Sequence, residues 1–269
     1  MITFPNAKIN LGLQIFHKRK DNFHEISTCM YPIPLTEALE IIPSETFSFG
    51  STGIDIPGEK EGNLVLKAYR LLAADFPQIS PVQIHLHKKI PMGAGLGGGS
   101  ADAAFALKML NEIFELNLDS QKLESYAGLL GSDCPFFIEN KTQIATGRGE
   151  ILQPAAVKLS GHWLYLIHPG IHISTQEAYA GVKPCSDQKD LQSILASPST
   201  WQTDLVNDFE NSLFKNHPEL EAIKSSLYEA GAWYAAMSGS GSAVFGLFSE
   251  APGKLTFPDQ YFQCCLELK

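Results

Sequence analysis

The chain has 269 residues, a formal net charge of −9, 44% hydrophobic and 18% charged residues; it is long enough to bury a sizeable core, and its composition is that of a folded globular protein. The acidic balance repels polyanions and argues against nucleic acid as a partner. The five cysteines, Cys29, Cys134, Cys185, Cys264 and Cys265, contain no C-x-x-C pair and indicate neither a disulfide framework nor a structural zinc site.

Residues 7–15, AKINLGLQI, alternate apolar and polar and predict a strand that ends in the charged turn 17–22, HKRKDN. Two more strands are expected at 38–43 and 82–87. Between them, 63–76 carries apolar residues at helical spacing, with Asn63 available as the cap. A second helix is expected over 100–114, with Ser100 at its N-cap and Asp102 in the first turn, where the macrodipole favours a negative charge. A third, over 119–131, ends on Gly131. Gly147, Gly149 and Pro154 punctuate the next stretch and a fresh strand starts at 162, so a domain boundary is placed near 153. The second half offers polar loops at 183–190 and 197–202, a helix over 218–231 and a strand over 243–249. This irregular mixture of strands and helices predicts an α+β fold.

Residues 90–101 carry the strongest local signal. Gly93, Gly95, Gly97, Gly98 and Gly99 let backbone N–H groups converge on an anion, and a helix N-terminus follows at once, so a phosphate site is expected. A Walker A loop is excluded, because Ser100 follows the glycines with no lysine before it. Gly93, Gly95 and Gly98 do satisfy G-x-G-x-x-G. The acidic residues about twenty positions on, Glu112, Glu115 and Asp119, nevertheless fall in or just after a helix, which argues against a dinucleotide site.

Elsewhere, Lys8, Asn10 and Gly12 share one strand face, which is either exposed or the wall of a site. Asp133 stands between a helix-ending glycine and Pro135-Phe136-Phe137, in a partly apolar setting. From the residues alone two readings stay open: Asn63 and Lys88 as a helix cap and a solvated lysine, Phe23 and Tyr179 as packing residues and His24 as a loop histidine, or all of them as parts of a site. His85 and His87 suit a polar strand face, and no protein-based metal centre is expected. With no signal-peptide pattern and no apolar run of membrane length, a cytoplasmic protein without membrane attachment is expected.

The segment 91-PMGAGLGGGSADAA-104 resembles the P-x-x-x-G-L-G-S/G-S/G-S-x-A-A signature of the GHMP kinase superfamily, and 5-PNAKINLGL-13 and 237-MSGSGSAVFG-246 are similar to its first and third signatures. Within it, 22-NFHEISTCM-30, 131-GSDCPFF-137, 147-GRGE-150 and 168-HPGIHIST-175 most resemble the branch that phosphorylates 4-diphosphocytidyl-2-C-methyl-D-erythritol on the non-mevalonate isoprenoid route. The resemblance implies a two-domain α+β fold: a ribosomal protein S5 domain 2-like ATP-binding domain at 1–153 and a C-terminal α/β sandwich domain at 154–269. It also implies ATP as phosphoryl donor, Mg2+ arriving with the nucleotide, and a monomer or weak homodimer.

By that resemblance, Pro91, Met92, Gly93, Ala94, Gly95, Leu96, Gly97, Gly98, Gly99, Ser100 and Ala101 wrap the phosphates, and Asn63 and Lys88 border the nucleotide. Asp133 becomes the general base with Lys8 as its electrostatic partner. Phe23 and Tyr179 flank the cytosine, His24 reads its edge, and Asn10 and Thr175 reach the diphosphate and erythritol part. Phe23 stands where the branch more often has tyrosine, and Gln176 where it often has proline. The alternatives are another small-alcohol kinase of homoserine or mevalonate type, a nicotinamide-dependent oxidoreductase, or a ribonucleoprotein module, the last at odds with the acidic charge.

Overall fold

Residues 7–15 form a strand as expected, but both of its faces are buried: Ala7, Ile9 and Leu11 on one, Lys8 and Asn10 on the other. The exposed face weighed for Lys8 is thereby corrected, because the strand lies inside the packing and its polar residues need internal partners.

The structure, a computed structural model, describes residues 1–184 and 189–269. Its strands are β1 (Ile2–Thr3), β2 (Asn6–Lys18), β3 (His24–Thr36), β4 (Ala38–Pro43), β5 (Ser48–Gly53), β6 (Val82–Lys88), β7 (Gln143–Gly147), β8 (Ile151–Pro154), β9 (Trp163–His168), β10 (Tyr234–Met237), β11 (Val244–Phe248) and β12 (Phe262–Glu267). Its helices begin with α1 (Leu64–Asp75), α2 (Gly98–Ile113) and α3 (Ser120–Leu130). After them come α4 (Phe136–Glu139), α5 (Thr175–Ala180), α6 (Leu191–Leu195), α7 (Trp201–Asp204), α8 (Glu210–Asn216) and α9 (Pro218–Glu229).

These elements pack as two units that interleave along the chain: Met1–Ala7, Leu35–Met92 and Gly97–Lys141 make one, while Lys8–Pro34, Gly93–Leu96 and Thr142–Lys269 make the other. The first unit holds a sheet in the order β1-β4-β6-β5, with β4 and β6 antiparallel and β5 parallel to β6. Against it, α2 packs beside α1, α3 and α4. Its Ala101, Ala103, Ala104 and Ala106 are fully buried, and such small side chains let neighbouring backbones approach closely.

In the second unit, β3 runs antiparallel to β7, with Ile26 opposite Gly147, and β7 turns back into β8. A separate antiparallel sheet has the order β10-β11-β9-β12. Helices α8 and α9 contribute Leu213, Leu220, Ile223 and Leu227 to a core shared with Val244, Ile167 and Met237.

Helices α1 and α3 start where capping residues require: Asn63 accepts the Val65 N–H, and Asp119 accepts that of Lys122. Helix α2 departs from expectation. It begins at Gly98 with Gly97 as its cap, so Ser100 sits inside the first turn and Asp102 is buried in the second. The stretch 197–202, expected to be a loop, runs into α7, anchored by the buried Trp201, whose Nε1 donates to the Ile194 carbonyl at 3.1 Å. Part of the polar loop at 183–190, including Cys185, lies outside the described residues. Among the described residues no helix is long and apolar enough to cross a membrane.

Candidate active site

The bend ahead of α2 owes its shape to glycine. Gly95 has φ +75°, and a Cβ there would collide with the Ser238 carbonyl. Gly97, at φ +70°, caps the helix in the left-handed region. Behind it, the N–H groups of Gly98, Gly99 and Ser100 have no acceptor within their own helix, the usual condition at a helix N-terminus. Bare backbone donors and the positive end of a 16-residue helix therefore converge at the same place. An anion of phosphate type fits these residues.

Within the second unit, this bend is tied to the first long strand and to the 238–242 turn. Lys8 Nζ donates to Gly95 O at 3.0 Å and to Asn10 Oδ1 at 2.6 Å, and the side chain is 3% exposed. Asn10 Nδ2 donates to Thr28 Oγ1 at 2.9 Å, and Ser238 Oγ donates to Gly95 O at 2.9 Å while accepting the Asn10 N–H at 3.2 Å. Burial is thus offset by satisfied hydrogen bonds throughout the cluster.

In the first unit, Asn63, Lys88, Met92, Gly99 and Asp102 are among the residues lining a cavity of about 230 Å³ beside the start of α2. Lys88 is not solvated: it is 2% exposed and bonds Glu37 Oε1 at 2.5 Å and Asp102 Oδ2 at 2.8 Å. Burial pushes the Asp102 carboxyl up to about 7, opposed by the Lys88 charge and reinforced by that of Glu37. Asp102 Oδ1 is buried with no hydrogen-bond partner. Asp133 lies half-buried in the turn before α4. The neighbouring Cys134 is buried, and burial pushes its thiol up to about 12, opposed by Ser100 in the first turn of α2.

The residues expected at the cytosine group in the second unit. His24 stacks on Tyr179, with ring centroids 4.7 Å apart, and Tyr179 meets Phe209 edge-on. One face of Tyr179 is thus already taken by a protein ring. Burial lowers the His24 pKa, aided by Lys18, which favours a neutral ring. Phe23 is not a packing residue: it is 52% exposed, with the Arg148 guanidinium 4.9 Å over its ring. Thr175 opens α5, exposed beside the cap Ser174.

Sequence reasoning missed Glu37, Asp102 and Ser238 as parts of these clusters. A lone carboxylate inside an alanine run was the available sign for Asp102. Ser238 stood inside the 237–246 signature, which named the segment but not its partner, and Glu37 offered no sign, because their partners lie far along the chain.

In the second unit a buried lysine rests on the glycine bend, and in the first a lined cavity lies beside the start of α2; each offers groups of the kind that phosphoryl transfer uses. Residues 63–141 match the model of the GHMP kinases N terminal domain, and residues 190–255 that of the GHMP kinases C terminal. The chain belongs to the GHMP kinases and is an ATP-dependent kinase. It is 52% identical over 268 residues, 99% of each chain, to the 4-diphosphocytidyl-2-C-methyl-D-erythritol kinase of Cytophaga hutchinsonii. Identity to the enzyme of the same name from Bacteroides fragilis is 53% over 254 residues, 93% of this chain and 92% of that one. A crystal structure of 4-(cytidine 5'-diphospho)-2C-methyl-D-erythritol kinase superposes with a TM-score of 0.80 at 33% identity, covering 92% and 90% of the two chains.

Proposed function

We propose that the chain transfers the γ-phosphoryl group of ATP to the 2-hydroxyl of 4-diphosphocytidyl-2-C-methyl-D-erythritol, a step of the non-mevalonate route to isoprenoid precursors. Relatives of that name at 52% and 53% identity support the substrate. The observation that carries the chemistry is the 3.0 Å bond from Lys8 Nζ to the Gly95 carbonyl, which fixes a buried cation on the glycine bend.

When bound, ATP with Mg2+ supplies the transferred group and charge neutralisation. Residues 91–101 wrap the phosphates, with the backbone N–H groups after Pro91 as donors, and Asn63 and Lys88 border the nucleotide. Asp133 accepts the hydroxyl proton, and Lys8 stabilises the negative charge that develops on the reacting oxygens. Phe23 and the His24–Tyr179 pair take the cytosine by stacking. Asn10, whose amide also holds Lys8, and Thr175 serve the diphosphate and erythritol portion. The lost tyrosine hydroxyl at Phe23 leaves the stacking surface and removes one hydrogen bond. In this reading residues 1–153 form the ATP-binding half, 154–269 the second half, and the enzyme works in the cytoplasm as a monomer or weak homodimer.

The test is phosphate transfer from ATP to the cytidyl substrate by the wild type and by Asp133→Asn. The substitution is expected to lower turnover by about 10²–10⁴ with nucleotide affinity retained. Near-normal turnover in Asp133→Asn removes that residue from the mechanism, and wild-type activity confined to homoserine or mevalonate overturns the substrate.

A further inference from the structure

The turn that precedes α8 braces the same cluster from behind. Asn207 is 2% exposed, and its Nδ2 donates at 2.8 Å to both the Met237 and the Gly239 carbonyls, while its Oδ1 accepts the Phe209 N–H at 3.1 Å. Glu210 is 7% exposed; Oε1 accepts the Met237 N–H at 2.7 Å and Oε2 accepts Lys224 Nζ at 2.6 Å. Between the gripped residues stands Ser238, whose hydroxyl bonds Gly95 O and the Asn10 N–H. The same turn also holds β2, through Asp208 N–H to Leu13 O at 2.9 Å and Ile15 N–H to Asp208 Oδ2 at 2.7 Å. Both the strand that carries Lys8 and Asn10 and the backbone that carries Ser238 are therefore hung on residues 207–210.

A buried amide and a buried carboxylate are expensive ways to fill space, since an apolar side chain does so without desolvation. What they add is direction. Asn207 spans two carbonyls two residues apart, so a shift of that backbone breaks at least one of its bonds.

We propose that Asn207 and Glu210 are positioning residues for phosphoryl transfer, setting the place of the Met237–Gly239 backbone and, through Ser238, that of Gly95 and Asn10 around Lys8. The inference rests on the phosphotransfer reading of the Lys8 cluster.

The experiment compares full-length wild type, Asn207→Asp, Glu210→Gln, Glu210→Leu and a packing control, Leu220→Ala, which opens the α9 core of the same unit. Turnover, both KM values and unfolding midpoints are measured with ATP and the cytidyl substrate. Asn207→Asp loses both donated bonds and is expected to lower kcat about 10²-fold, the effect of a displacement near 1 Å. Leu220→Ala is expected to lower the midpoint and keep kcat near wild type. Glu210→Gln retains the oxygen that accepts Met237 N–H and should keep most of the turnover that Glu210→Leu loses, which also serves if Asn207→Asp does not fold. Turnover losses that merely follow the midpoints across all variants overturn the proposal. Should the wild type fail to phosphorylate the cytidyl substrate, the functional reading falls separately, and hydrogen exchange of residues 237–242 decides the brace. Exchange is expected to rise in Asn207→Asp or Glu210→Leu and not in Leu220→Ala; equal exchange overturns it.

Discussion

Lys88 and Lys8 are both nearly inaccessible, at 2% and 3% exposure, and their hydrogen bonds reach different parts of the fold. Lys88 bonds two carboxylates, Glu37 and Asp102, and Glu37 turns its other oxygen to the N–H groups of Lys89 and Ile90 at 2.8 and 3.1 Å. Lys8 bonds an amide oxygen and the carbonyl of the glycine bend. The first arrangement binds strand ends to a helix by charge, so its loss leaves anions buried. The second sets a cation upon the bend proposed to hold phosphate, so its loss should be felt chiefly in turnover. A buried lysine is therefore not one signal but two, and the partners tell them apart.

The strongest way to break this contrast is Lys88→Met. Leaving two buried carboxylates without their cation should cost about 3–5 kcal/mol of stability, read as a lower midpoint in chemical denaturation. A variant as stable as wild type would show that the carboxylates do not need the lysine. Next comes Lys8→Met, expected to reduce turnover by about 10²–10³ while unfolding shifts less than for Lys88→Met. The reverse order of effects would exchange the roles of the two residues.

Asp102 sharpens the comparison through pH. Burial lifts its carboxyl from 3.8 to about 7, so across that interval the folded chain holds a proton that the unfolded chain releases. Stability from this group is full below the unfolded value and is lost as pH rises through about 7. Asp102→Asn should remove this component of the pH dependence, and unfolding midpoints measured on both sides of the interval test it; an unchanged slope would assign the proton elsewhere. The smallest effect is expected at Phe23, where replacement by leucine keeps apolar area and loses the ring. KM for the cytidyl substrate should rise up to about tenfold, equivalent to roughly 0.5–1.5 kcal/mol of stacking, with KM for ATP unchanged.

Much of the fold was legible because its causes are local. The caps Asn63 and Asp119 lie within three residues of the N–H groups they serve, and period alone located α1, α3 and α9. The start of α2 was misjudged because Gly97 caps by its backbone conformation and offers no side chain to read. In the candidate site, the glycine bend announced itself by composition, whereas the solvated alternative for Lys88 and the core alternative for Phe23 fell only to the structure. Both concern burial, which depends on segments that arrive from far along the chain.

By itself, then, the sequence determined where α1, α3, α9 and several of the strands form, and it pointed to a phosphate-type anion at 93–100, since both follow from neighbouring residues and the backbone angles they permit. Only the tertiary structure decided which polar groups meet. Glu37 reaches Lys88 across 51 positions and Ser238 reaches Gly95 across 143. Such pairings exist because burial removes water as a partner and leaves each polar group to find one within the fold.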